Sequence, residues 1–168
     1  LDSTWLLDQG ITSIERQSPH AVTVPGAVDA WVQLSRDHGT LGLDQILSPA
    51  IGYARDGYPV TQRVAFDFAN EVGALDAAAK AVFAPGGSVV PLGARHSQPA
   101  LATTLERIAR DGRAGFYDGP VGEEILTLLQ RLGGRHQPED FENAVGDYVT
   151  PISTSFRDHT IWQCPPNG

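Results

Sequence analysis

A chain of 168 residues with 41% hydrophobic residues and a formal net charge of −8 carries enough apolar side chain for one core of domain size. The acidic balance and the lack of any long basic run exclude non-specific nucleic-acid binding. No apolar stretch approaches the length of a membrane span, so no membrane-spanning segment is expected.

The first residues, LDSTWLLDQG, have no basic region of the kind that opens a signal peptide. They lack an initiator Met, and the whole chain contains no Met, which is the expectation for a segment of a longer protein. Ser3–Gln9 predicts a short helix stopped by Gly10, followed by loop through Pro19. Ala21–Val24 is a short β-branched run broken by Pro25-Gly26. A helix to His38 follows, with Val28, Trp31 and Val32 on one face and Gly39 as its stop.

Leu43–Asp56 holds helical core spacing through Leu43, Ile46, Leu47, Ala50, Ile51 and Ala54. Pro49 opposes it, because an interior proline costs an ordinary helix roughly 3 kcal/mol, so a split into two helices capped by Ser48 is the alternative. Thr61 is placed to cap a helix through about Val72, and the Ala-rich segment Ala74–Phe83 predicts another. Ala84–Gly93 is a Pro/Gly-rich loop, with Val89-Val90 as a brief extended piece.

Two amphipathic helices then organise the chain. The first, 99–111, has Ser97 as the candidate cap, Pro99 in its first turn, Leu101, Leu105 and Ile108 on one face, and Gly112 as its stop. The second, 120–132, opens on Pro120 and carries the stripe Val121, Ile125, Leu128, Leu129 and Leu132 before Gly133-Gly134. Between them GFYDG places Phe116 and Tyr117 to close the helical pair. Gln137–Phe141 starts a short helix. Tyr148–Phe156 and Thr160–Cys164 read as a β-hairpin turning at Arg157-Asp158-His159, with Pro151 at an edge or bulge. The fold class is therefore mainly α with a short C-terminal β-hairpin at about 148–164, in a single unit over 1–168. The expected core is Trp31, Ile46, Leu47, Ile51, Leu105, Ile108, Phe116, Ile125, Leu128 and Leu129.

The residues alone assemble no catalytic set. His20, His38, His96, His136 and His159 each sit in or beside a loop, none pairs at metal-ligand helical spacing, and all five read as solvated surface histidines. Cys164, the single cysteine, forms no internal disulfide and no Cys-based metal site, and reads as a buried apolar thiol. Glu123-Glu124 and Glu139-Asp140 lie in helix first turns, where the helix dipole explains them. Gly86-Gly87 lacks the Lys-Ser or Lys-Thr of a phosphate-binding loop, and no Gly-x-Ser-x-Gly elbow occurs. No metal ligand and no cofactor is assigned.

Four segments, in order, resemble the large chain of the γ-glutamyltransferases: VTVPGAVDAW at Val22–Trp31, HGTLGLDQILSPAIGYARDGYPV at His38–Val60, QPALATTLERIARDGRAGFYDG within Gln98–Tyr148, and YVTPISTSFRDHTIWQCPPNG at its end. The ending PPNG, in place of a Pro-Ser-Ser-Gly-Gly form, is similar to the branch that includes acylase-like members. The resemblance implies a fragment of an N-terminal nucleophile hydrolase of αββα architecture. It implies a precursor that cleaves itself before a Thr, which then serves as nucleophile and, through its α-amine, as base. That Thr segment belongs to the small chain and lies outside these residues. Thr103-Thr104 sits inside a predicted helix and is no substitute, and Arg16 is not in the Arg-Ala-Pro setting of the family's carboxylate-binding arginine.

No catalytic or substrate-binding residue is therefore assigned here. The implied partners are a small-molecule γ-glutamyl or acyl-amide substrate and the small chain of the same precursor. The implied location is the periplasm or the exterior, with the cytoplasm as alternative. A cephalosporin or glutaryl acylase is the second enzymatic reading, and a non-catalytic helical binding or scaffold module is the third.

Overall fold

Local capping and breaking residues set most of the element boundaries. The computed structural model describes residues 3–166; Leu1, Asp2, Asn167 and Gly168 lie outside the described residues, so the start at Leu1 and the last two letters of PPNG have no structural counterpart here. Helix α1 spans Ser3–Asp8, and a 3₁₀ turn at Pro19–Ala21 is capped by Ser18. Helix α2 spans Ala27–His38, and α3 spans Leu43–Asp56 without a break at Pro49. Pro49 is exposed, so solvent serves the backbone groups that its ring leaves unpaired. The β-branched run before α2 is not a strand, since residues 22–26 are irregular.

Helix α4 spans Gln62–Glu71, with the Thr61 hydroxyl accepting from the Val64 amide. Helix α5 spans Ala77–Phe83 and starts later than its alanines suggest, because Asp76 caps it. A two-residue antiparallel bridge joins β1, Tyr58–Pro59, to β2, Arg95–His96. Such a pairing is too short to leave a periodic signal in the sequence.

Helix α6 spans Pro99–Asp111, α7 spans Ala114–Tyr117 and α8 spans Pro120–Arg131. Ser97 does not cap α6; Gln98 holds that position without a side-chain hydrogen bond, and its amide donates to Ala54 O at 2.7 Å. α7 packs closely against α6 because Gly115 has no side chain. A Cβ there would collide with the Arg107 carbonyl. Helix α9, Pro138–Glu142, begins with a capping box in which Gln137 and Asp140 bond each other's backbone.

The core gathers Val28, Ala54, Ala102, Leu105, Ile108, Tyr117, Leu129 and Phe141. Leu47, Ile51, Phe116 and Ile125 are half-buried against it. Three expected core residues are exposed: Trp31 at 45%, Ile46 at 45% and Leu128 at 42%. The reason is rotational. α2 buries Val28 and Asp29, and α8 buries Gly122 and Leu129. The opposite edges of those stripes have no covering element among the described residues. Leu101, placed on the α6 core face by its spacing, is also exposed.

Strands β3, Ile152–Phe156, and β4, His159–Gln163, form the C-terminal hairpin. The turn has two residues rather than three, because Phe156 pairs with His159 and Arg157 takes a left-handed backbone with φ 54°. Every residue of both strands is exposed. An isolated strand pair of this kind is marginal. Amide exchange over Ile152–Gln163 is therefore expected to be much faster than over Leu105–Ile108 in this chain by itself. Equal protection would contradict that ranking.

Candidate functional site: the hairpin and its anchor

The register places Ile152, Thr154 and Phe156 opposite Gln163, Ile161 and His159, so one face of the hairpin carries Ile152, Ile161 and Phe156. These are 51%, 53% and 60% exposed. Trp162 stands on the other face at 65%. Apolar side chains presented in a row on an extended pair mark a surface that receives another element.

The hairpin hangs from the helical body by the segment after α9. The anchor is polar. Asp29, buried in the first turn of α2, accepts from the Gly146 amide at 2.7 Å, from the Gln33 side chain, and from Arg113 Nε at 3.2 Å. Arg113 comes from the turn between α6 and α7. Its Nη2 donates to the carbonyls of Phe141 at 2.9 Å, Glu142 at 2.8 Å and Ala144 at 3.3 Å. Its guanidinium lies 4.5 Å from the Tyr117 ring centre. The Tyr117 hydroxyl donates to Pro25 O and accepts from the Asp29 amide. Gln33 also donates to Gly146 O at 2.9 Å, and farther along α2 Asp37 accepts from the Tyr148 hydroxyl at 3.1 Å.

Burial of Asp29 raises its pKa, but the Gly146 amide, Gln33 and Arg113 outweigh that and hold it below the ordinary 3.8. Burial pushes the Tyr117 hydroxyl above the ordinary phenol value. The sign for Asp29 follows from linkage. Its stabilising contribution is full above the unfolded value and is lost as pH falls through the lower folded value. Melting wild type and Asp29→Asn from about pH 6 to about pH 2.5 should show their stability gap closing below about pH 4. A gap independent of pH would contradict the ionised carboxylate.

Of the five histidines, His38 and His159 are exposed as expected, whereas His20 is half-buried. His96 and His136 are buried. His96 is enclosed by the rings of Tyr58, Phe68 and Phe83, because α4 and α5 fold over β2. His136 Nε2 lies 2.8 Å from Val22 O, closing the irregular segment before α2 onto the end of α8. Cys164 is exposed rather than buried, since it follows the uncovered strand β4. The Thr103 and Thr104 hydroxyls donate back to Pro99 O and Ala100 O within α6. Among the described residues, no group of three His, Cys, Asp or Glu side chains could hold a metal ion, and no helix is long and apolar enough to cross a membrane.

The gamma-glutamyltranspeptidase family profile matches residues 3–168. The chain belongs to this family. The glutathione hydrolase-like YwrD proenzyme of Bacillus subtilis strain 168 is 33% identical over 150 residues, covering 88% of this chain and 29% of that protein. The gamma-glutamyltranspeptidase of Helicobacter pylori superposes with a TM-score of 0.85 at 29% identity, covering 99% of this chain and 48% of that one. The cephalosporin acylase from Bacillus halodurans superposes with a TM-score of 0.84 at 30% identity, covering 95% and 32%. The chain thus spans less than a third of the Bacillus subtilis relative. Members of the gamma-glutamyltranspeptidase family are enzymes; the part of the family's chain spanned here is mainly helical with a C-terminal strand pair.

Proposed function

We propose that these residues are the helical unit of the large chain of a γ-glutamyltransferase-like enzyme that transfers or hydrolyses γ-glutamyl groups from glutathione-type donors. The family match over residues 3–168 carries this reading. The catalytic Thr lies outside this chain, at the head of a small chain made by cleavage of the same precursor. Its hydroxyl attacks the γ-glutamyl amide carbonyl while its α-amine takes the proton and passes it to the leaving amine. Water or an amine acceptor then resolves the acyl-enzyme. The Bacillus subtilis relative is a proenzyme, which supports processing.

The exposed apolar face of Ile152, Ile161 and Phe156 supports a partner sheet from the small chain, as the αββα architecture requires. The near-equal likeness to a cephalosporin acylase supports a second reading, an amidohydrolase acting on an acyl side chain.

The test is a chromogenic γ-glutamyl anilide assay on the full-length protein and on residues 1–168 alone. Turnover by the full-length protein and none by the fragment is expected. Turnover by the repurified fragment would overturn the placement of the nucleophile. A full-length protein that ignores γ-glutamyl donors and deacylates a β-lactam side chain would establish the second reading.

A further inference from the structure

We infer that the Asp29–Arg113 pair is a positioning clamp that fixes the root of the hairpin to α2 and so sets where β3 and β4 point. The last carbonyls of α9 and the irregular stretch that follows it to Gly146 find few backbone partners, the Ala144 amide reaching Phe141 O at 3.4 Å and the Val145 amide Asn143 O at 2.8 Å. Side chains supply the rest. Arg113 takes the carbonyls of Phe141, Glu142 and Ala144, Asp29 takes the Gly146 amide, and Gln33 gives to the Gly146 carbonyl. The pair that coordinates them is shielded, with side-chain exposures of 4% for Asp29 and 24% for Arg113. A buried ion pair is a poor substitute for apolar packing as a source of stability, whereas its directionality specifies one arrangement. Here the arrangement it specifies is the exit direction of the chain.

Geometry gives that direction its weight. A five-residue strand is about 17 Å long, so a swing of about 15° at its root displaces the tip by about 4 Å, close to the spacing between paired strands. Beyond Gly146, the Tyr148 contacts with Asp37 and His38 are the further ties to α2 that the structure shows. A loosened root would leave the apolar face of Ile152, Ile161 and Phe156 out of register with any sheet it joins. The catalytic consequence, which rests on the function proposed above, is that the clamp governs how fast the precursor separates into its two chains.

The experiment compares full-length wild type with Asp29→Ala, Asp29→Asn, Gln33→Ala and the core variant Leu129→Ala. Amide exchange over residues 145–150 and the time course of chain separation are both read. Asp29→Ala and Gln33→Ala should speed exchange in that segment by at least about tenfold relative to α6, and slow separation. Asp29→Asn, which keeps one acceptor, should restore part of both. Leu129→Ala should loosen the helices generally without a selective effect at 145–150. If Asp29→Ala does not fold, Gln33→Ala, which removes only two hydrogen bonds, gives the same reading. Exchange at 145–150 unchanged in the clamp variants, or separation slowed as much by Leu129→Ala, would overturn the clamp. A wild-type precursor that never separates, with the selective exchange effect present, would remove the proposed function and support the clamp.

Discussion

Replacing Arg113 by Ala is expected to cost about 3–5 kcal/mol, the penalty for leaving a buried charge without its partner. The Asp29 carboxylate would keep the Gly146 amide and Gln33 but lose its counter-charge. The carbonyls of Glu142 and Ala144 would lose the Arg113 donor at the same time, while Phe141 O would keep the Ala144 amide. For a chain of this length the melting temperature should fall on the order of 10 °C. Arg113→Lys should lie between, because one ammonium keeps the charge but cannot span Asp29 and the end of α9 together. A melt of Arg113→Ala within about 1 kcal/mol of wild type would mean that solvent already screens the pair.

Ile108→Ala should cost roughly 2–5 kcal/mol, since it deletes a branched side chain from the centre of the core. Ile108 is 1% exposed and belongs to the cluster that joins α2, α3 and α6 to α7 and α8. Leu128→Ala is the contrasting variant. The stripe on α8 assigned it to the core, but at 42% exposure its loss should fall well below the range for a buried leucine. Equal losses for the two would show that α8 turns its other edge inward. Chemical denaturation of both variants decides this.

What could be read from the sequence was local. The bounds of α6 and α8 follow from Pro99, Gly112, Pro120 and Gly133, whose backbone preferences act within a turn of where they stand. The four ordered segments carried the family. The anchor was not legible. Asp29 and Arg113 lie 84 positions apart, and no periodicity pairs a first-turn aspartate with an arginine in a turn. Asp29 did leave one trace, as a charged residue beside Val28 on the face that α2 buries. His96 was misplaced because a residue next to a loop is buried when helices from elsewhere close over it. Trp31, Ile46 and Leu128 were misplaced because an apolar stripe gives a face and not its width.

On the function proposed above, this chain is one part of a self-cleaving precursor whose nucleophile lies beyond it. Intact-mass measurement and N-terminal sequencing of the purified full-length protein test that most directly. Two chains are expected, the larger containing residues 1–168 intact and the smaller beginning with Thr. A single uncleaved chain that still turns over a γ-glutamyl donor, or a cut inside residues 1–168, would contradict that reading.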